Sequence, residues 1–225
     1  MDRFYTRFLS FLCIILGGST FGQNLILNAG FEQHASCPTH FSNLSELLRD
    51  ASLPTSSSGD YFNQCSTEDF GIPHNFKGNQ AAAEGNGYLG LYFYALNDYR
   101  EYVQLGTQSV LRENFPHKIS FKVSLAEAST LALKNMSIIL TNGALRLPNS
   151  TTLTTERLNL QQGLEFQEVP LKADKSMADT EGWITLTAEF EAKGFESHVL
   201  VGNFKDNTNT ELLVTEKALI PSDFS

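Results

Sequence analysis

Hydrophobic and polar residues alternate with a period of two along most of the chain beyond residue 84. The alternation is clearest over residues 119–125 and 184–190. A period of two is typical of strands with one buried face and one face in water. Turn-like sequences separate further candidate strands, which span residues 88–94, 101–105, 136–141, 153–160, 164–171, 198–204 and 211–215. The pattern predicts antiparallel sheets.

A helical period appears over one short stretch, residues 43–49, where three leucines fall on one side and Ser42 stands at the capping position. Several short strands with one short helix predict an all-β fold. Two antiparallel sheets would pack face to face, as a sandwich or jelly roll. No linker or second composition regime interrupts the pattern, so we predict a single β-sandwich module over residues 23–225, although the pattern fades over residues 207–225.

The amino terminus, residues 1–22, has a different character from the rest of the chain. Arg3 and Arg7 precede a short apolar run, and small or modest side chains follow it. This order is typical of a secretory signal peptide, and the run is about half the roughly 20 residues that a membrane span needs. We expect cleavage near Gly22, export to the periplasm or cell surface, and no stable membrane insertion afterwards.

Two cysteines, Cys37 and Cys65, stay in the mature chain once the signal segment with Cys13 is removed. In an oxidising compartment these two thiols most simply pair with each other. Closing a loop of this length stabilises a fold by about 3 to 4 kcal/mol in the chain-entropy model. Because residues 36–80 have little apolar periodicity, we expect the disulfide to hold a region that lacks a core of its own.

The chain is acidic, with 16 Lys and Arg against 25 Asp and Glu and a net charge of −9. Such a charge repels phosphate backbones, so we do not expect a nucleic-acid partner. The sequence has no nucleophile elbow, no zinc-protease helix motif and no phosphate-binding glycine loop. We therefore expect a protein that is not an enzyme, with a glycoside hydrolase as the weaker alternative because acidic pairs are common along the chain.

Tyrosines dominate one face of the candidate strand 88–94. The apolar members of this strand fall on the opposite face, and they are Leu89, Leu91 and Phe93. Tyrosine has a broad ring face and a polar hydroxyl, which suits stacking on a sugar while hydrogen-bonding its hydroxyls. The alternative is that these rings are buried in the sandwich or pair across strands. The predicted carbohydrate-binding residues are Tyr88, Tyr92, Tyr94, Tyr99 and Arg100.

Short blocks of sequence follow one another in a recognisable order between residues 24 and 206. They span residues 24–32, 36–39, 54–55, 59–65, 72–80, 87–91, 99–102, 123–126 and 202–204. These blocks resemble the amino-terminal module of secreted Bacteroidetes envelope proteins, which is often joined to an outer-membrane-protein-A-like domain. Such modules are similar to the galactose-binding-like jelly roll of carbohydrate-binding module families 4 and 9. The resemblance implies a partner that is a glycan or another envelope component.

The resemblance also implies a structural calcium ion near the first strand, with Glu32 as one ligand. Calcium takes six to eight oxygen ligands, so further oxygens would have to come from elsewhere in the chain. The alternative for Glu32 is a carboxylate that accepts hydrogen bonds from a turn. Apart from calcium, neither the residues nor the resemblance predicts a cofactor.

The sequence thus leaves three functional hypotheses. The first is a secreted, non-catalytic module that binds carbohydrate through exposed aromatic residues. The second is a structural or adhesive surface module that binds protein, which predicts an exposed apolar patch. The third is a hydrolase with two acids facing each other across a cleft.

Overall fold

Antiparallel strands form most of the regular structure in the computed structural model, which describes residues 23–179 and 182–215. The strands are, in chain order, β1 Ala51–Ser52, β2 Asp60–Asn63, β3 His74–Asn75, β4 Gly78–Asn79, β5 Gly87–Gly90, β6 Val103–Gly106, β7 Pro116–Val123, β8 Leu131–Leu133, β9 Ser137–Thr141, β10 Phe166–Pro170, β11 Lys172–Ala173, β12 Ile184–Glu191, β13 His198–Gly202 and β14 Leu212–Val214. The helices are α1 Leu44–Leu47 and α2 Thr155–Asn159, and 3₁₀ turns cover Glu68–Phe70 and Leu96–Asp98. The predicted all-β class is confirmed.

The strands assemble into one sheet of five strands, one of three, and three pairs. The five-stranded sheet has the order β1-β6-β13-β9-β10, and the three-stranded sheet has the order β11-β12-β7. The pairs are β14-β8, β2-β5 and β3-β4. All these pairings are antiparallel, and the longest joins β7 to β12 over their full lengths, from Pro116 opposite Glu191 to Val123 opposite Ile184.

The main core lies where one face of the five-stranded sheet meets one face of the three-stranded sheet. Val103, Ile138 and Val199 from the larger sheet pack in one cluster with Ala188 and Ile119 from the smaller sheet. This arrangement is sandwich-like, because each sheet buries its apolar face against the other. The alternation predicted for residues 119–125 and 184–190 has this physical origin.

A second core covers the opposite face of the five-stranded sheet. Tyr102, Ile139 and Leu200 point to that side, and Leu153 and Leu158 pack on them. The five-stranded sheet is therefore buried on both faces. This second layer comes from the chain between β9 and β10.

The structure has two short α-helices where the sequence predicts one. Helix α2 lies within residues 153–160, which the sequence predicts as a strand. The side chain of Thr154 accepts a hydrogen bond from the backbone N–H of Arg157 at 3.4 Å, so a capping interaction starts a helix there. Helix α1 begins after Asn43, and Asn43, not Ser42, is its N-cap residue.

The predicted disulfide between Cys37 and Cys65 is confirmed, with the two Cα atoms 5.7 Å apart. It joins the segment before α1 to the residue two positions after the end of β2. The hydroxyl of Ser66 donates to the backbone carbonyl of Pro38 at 2.5 Å, which ties the same two segments together again. The bridge therefore fixes both ends of a region that has little regular structure.

The predicted signal peptide, residues 1–22, lies outside the described residues, as do residues 216–225. The candidate strand 211–215 is confirmed as β14. Within the described part of the chain, no helix has the length and apolar character needed to cross a membrane.

Candidate functional site

A group of aromatic rings reaches the surface where the disulfide-held region meets β2 and β5. Phe41 lies edge-on to Phe70, with ring centroids 4.9 Å apart, and edge-on to Phe76 at 4.8 Å. Phe41 is 53% exposed and Tyr92 is 44% exposed. We call Phe41, Phe76, Lys77 and Tyr92 the aromatic surface.

Lys77 lies against two rings of the aromatic surface. Its ammonium nitrogen is 4.9 Å from the centroid of Phe76 and 4.5 Å from that of Tyr92. The ammonium also donates a hydrogen bond to the Tyr92 hydroxyl. Cation–π attraction of this kind stabilises an exposed site by about 0.5 to 1 kcal/mol and orients the rings around one charge.

A tight hairpin presents Phe76 and Lys77. Strands β3 and β4 pair Asn75 with Gly78, so that Phe76 and Lys77 are the two residues of the turn. The side-chain oxygen of Asn75 accepts from the N–H of Lys77 at 2.9 Å, which is an Asx turn. Gly78 has a φ of +143°, and a Cβ there would lie 2.8 Å from the Cβ of Glu127. Only glycine fits this close approach without strain.

Two acidic side chains hold the other members of the aromatic surface. The N–H of Ser42, next to Phe41, donates to Asp60 at 2.8 Å. Burial raises the pKa of Asp60 above its ordinary value, although this hydrogen bond and the charge of Lys77 act in the opposite direction. The N–H of Tyr92 donates to Glu101 at 2.8 Å.

Glu101 is 2% exposed and its carboxylate accepts three hydrogen bonds. The hydroxyls of Ser58 and Tyr99 donate to one oxygen at 2.5 and 2.9 Å, and the N–H of Tyr92 donates to the other. Burial raises the pKa of Glu101 in spite of these bonds. Glu101 therefore positions the chain around Tyr92. The hydroxyl of Tyr99 is used within this hydrogen-bond network.

Replacing Glu101 with glutamine is expected to change how stability depends on pH. The folded-state pKa of Glu101 is raised, so its carboxyl stabilises the fold fully below the ordinary pKa of 4.5, and this contribution is lost as pH rises through the raised value. As pH rises from the ordinary pKa of Glu101 to its raised pKa, the free energy of unfolding of the wild type should therefore decrease relative to that of Glu101→Gln. Urea denaturation of both proteins across this window measures it, and a constant difference would contradict the burial argument.

Tyr88 lies on the inner side of the aromatic surface, and its hydroxyl is used within the protein. It accepts from the side-chain amide of Asn75 at 2.7 Å and donates to the carbonyl of Gln80 at 3.1 Å. Its ring lies 5.4 Å from Phe62 and 5.6 Å, edge-on, from Trp183. Tyr88 therefore supports the neighbouring rings. Burial raises the pKa of its hydroxyl.

Arg100 is placed away from the surface, and Tyr94 is half-buried beside it. Arg100 is fully buried, and its guanidinium donates to the carbonyls of Tyr99 and Lys205 and to the side-chain oxygen of Asn207 at 2.9, 3.0 and 2.7 Å. The guanidinium carbon lies 5.1 Å from the ring centroid of Tyr94. Sequence reasoning places Arg100 beside an exposed ligand, whereas the structure places it in the interior, where it joins separate segments of the chain.

The structure brings together only part of the predicted site. Strand β5 ends at Gly90, so residues 91–94 do not continue the predicted strand. The apolar set Leu89, Leu91 and Phe93 does pack against the main core, as predicted. Of the predicted tyrosines, Tyr92 is the one that is exposed.

No family model, curated protein or solved structure matches this chain. The resemblance of residues 24–206 to an envelope-protein module therefore stays a prediction.

Glu32 takes part in a hydrogen-bonded turn. One carboxylate oxygen accepts from the backbone N–H of Asn86 at 2.7 Å and the other from its side-chain amide at 2.9 Å. The backbone hydrogen bond from Asn86 is the main reason that the pKa of Glu32 is lowered. This is the alternative role stated for Glu32. Across residues 23–179 and 182–215, no group of three or more His, Cys, Asp or Glu side chains is placed to hold a metal ion, and the calcium site stays a prediction.

Phe41, Phe76 and Lys77 are functional candidates that sequence reasoning missed. Phe41 and Lys77 lie far apart along the chain, and in the folded structure both contact the ring of Phe76. One signal was present in the sequence: Asn75-Phe76-Lys77-Gly78 is a turn sequence that carries an aromatic and a basic residue at its tip.

Proposed function

We propose that the chain is a secreted, non-catalytic module that binds carbohydrate through the aromatic surface. The observation that carries this proposal is the exposure of Phe41 and Tyr92 beside Lys77, on a frame held by a disulfide. Ring faces pack against the C–H groups of a sugar, while hydroxyl and ammonium groups bond to its hydroxyls. The aromatic surface supplies both kinds of contact within one small area.

The rigidity of the frame supports a binding role. Phe76 and Lys77 are fixed by an Asx turn, and Tyr92 is fixed by a buried carboxylate. A site whose side chains are already held loses little conformational entropy when a ligand binds. The same rings in mobile loops would lose more conformational entropy on binding.

We also propose a specific fold type and a cellular compartment for the chain. The two larger antiparallel sheets share a core, which suits a jelly-roll sandwich of the galactose-binding-like type. A disulfide persists in oxidising compartments, and it therefore supports export to the periplasm or cell surface.

The state of two acids near the aromatic surface supports a non-catalytic role. Asp60 accepts from the N–H of Ser42, and Glu101 has three donors and is almost completely buried. A glycoside hydrolase needs one carboxyl to protonate the leaving group and a second to act as base or nucleophile, both at a substrate cleft. Glu101 cannot reach a ligand at the surface in this arrangement.

Replacing Phe41 and Tyr92 together with alanine is expected to weaken carbohydrate retention about tenfold or more, because two stacking platforms are lost. A glycan array identifies the ligand for the wild type, and affinity electrophoresis in a gel containing that glycan measures the change. Phe115→Ala is the matched control, since Phe115 is 48% exposed and has the Arg112 guanidinium 5.5 Å above its ring.

Three results would overturn the proposal. The wild type binds no glycan on the array. The wild type and the double variant are retained equally by the glycan gel. Phe115→Ala loses as much glycan retention as the double variant. Specific binding of a protein ligand that is lost with the same double variant would establish the adhesive alternative instead.

A further inference from the structure

A cavity of about 330 Å³ opens beside the amino-terminal segment, and it shares no residue with the aromatic surface. It lies at the edge of the five-stranded sheet, on the face that carries Leu200 and Ile139, at the level of β1, β6 and β13. Its lining includes Leu27, Asp50, Ser52, Gln104, Gly106 and His198.

Gly106 makes room for this cavity. Leu27 crosses over this position, because its N–H donates to the carbonyl of Gly106 at 2.9 Å. His198 is the strand partner of Gly106, and its Nε2 would lie 3.9 Å from a Cβ at Gly106. The space in front of the imidazole is therefore left by the missing side chain.

The imidazole of His198 is held in place from its other nitrogen. Nδ1 lies 3.0 Å from the hydroxyl of Ser197, so Nε2 is the nitrogen on the cavity side. Burial lowers the pKa of His198, which favours the neutral ring. Nε2 then accepts or donates according to the direction of the Ser197 hydroxyl.

A buried glutamine orients the serine at the cavity. The side-chain amide of Gln104 donates to the Ser52 hydroxyl oxygen at 3.0 Å and to the carbonyl of Leu145 at 2.9 Å. Its oxygen accepts from the N–H of Leu145 at 2.8 Å. Because the Ser52 oxygen already accepts one hydrogen bond, its own O–H is directed elsewhere, and Asp50, an exposed acidic residue, also lines the cavity.

We propose that this cavity binds one small polyhydroxy compound of the size of a single sugar ring. A hydroxyl group both donates and accepts, so it matches the acceptor at Asp50, the donor at Ser52 and either role at His198. Leu27 supplies an apolar wall for the C–H groups. The volume is at the lower end of the roughly 300–1,000 Å³ range of ligand sites, which suits a single sugar ring.

This site is independent of the proposed function. The aromatic surface stacks a ligand on exposed rings, whereas the cavity has polar groups and no aromatic ring apart from the imidazole. A compound that fits here is a free monosaccharide or a terminal residue of a glycan, and the two sources share the same chemistry.

The test is a titration of the full mature chain with glucose, galactose, mannose and N-acetylglucosamine, followed by ¹H–¹⁵N NMR. At least one sugar should shift the amide signals of Gly106, Thr107 and His198 with saturation. Gly106→Ala should raise the dissociation constant about tenfold, since the methyl group occupies the space before His198. A Cβ there meets Leu27 at 3.4 Å, an ordinary contact, so this variant keeps the fold.

A second variant shows whether weaker binding comes from the cavity residues or from a change of structure. Asp50 has a φ of +61°, a backbone conformation that asparagine tolerates, so Asp50→Asn removes the charge and keeps the geometry. It should also weaken binding, whereas the Phe41→Ala/Tyr92→Ala protein should bind the monosaccharide as the wild type does. No saturable shift with any of the four sugars, or equal affinity in Gly106→Ala, overturns the inference. If an oligosaccharide that ends in the sugar bound by the wild type shifts the same amide signals, the cavity accepts the terminal residue of a glycan.

Discussion

Replacing Arg100 with methionine is expected to lower the free energy of unfolding by about 3 kcal/mol. Methionine fills similar space but donates no hydrogen bond. The carbonyls of Tyr99 and Lys205 and the side-chain oxygen of Asn207 would each lose a donor in the interior. The negative charge of Asp98 would also lose its buried counterpart.

Urea denaturation followed by circular dichroism measures this loss. Arg112→Met is the matched control, because Arg112 is exposed and lies over the exposed ring of Phe115. The control should differ from the wild type by less than about 0.5 kcal/mol. Losses of equal size in the two variants would show that Arg100 is not the buried connector described above.

The position of Arg100 shows why the fold was easier to predict than the site. Period-two alternation correctly placed β6, β7, β9, β12 and β13, because local sequence decides which residues alternate. The same pattern assumes one face in water. In β6 and the residues before it, both faces are buried, since Leu153 and Leu158 cover the side that holds Arg100, Tyr102 and Gln104. That cover comes from a distant part of the chain, which periodicity does not detect.

The residues of the candidate site were not predicted from the sequence for a similar reason. Sequence reasoning grouped tyrosines that are close in sequence, but side chains close in sequence diverge as soon as a strand ends, as β5 does at Gly90. Phe41, in a loop closed by a covalent bond, and Lys77, in a hairpin turn, both reach the ring of Phe76. The cysteine pairing was predictable, because few thiols were left to choose from. The rings that it brings together were not.

Replacing Cys37 and Cys65 with serine is expected to lower the free energy of unfolding by about 3 to 4 kcal/mol. The bridge spans a separation of 28 residues, and removing it gives the unfolded chain back the entropy of that loop. The native state would also lose a restraint on the region that carries Phe41 and the Phe76–Lys77 turn. Reductant should lower the stability of the wild type to that of the double variant and leave the variant unchanged.

Retention by the proposed aromatic site separates loss of the whole fold from loss of local structure. The disulfide loop contains Phe41 of the aromatic surface and Asp50 and β1 of the cavity, whereas Gln104, Gly106 and His198 lie outside it. Glycan retention by the aromatic surface should therefore fall in the double serine variant at urea concentrations where its circular dichroism is still native. If retention and circular dichroism change together at every concentration, the disulfide stabilises the whole fold as one unit, and the aromatic surface has no separate dependence on it.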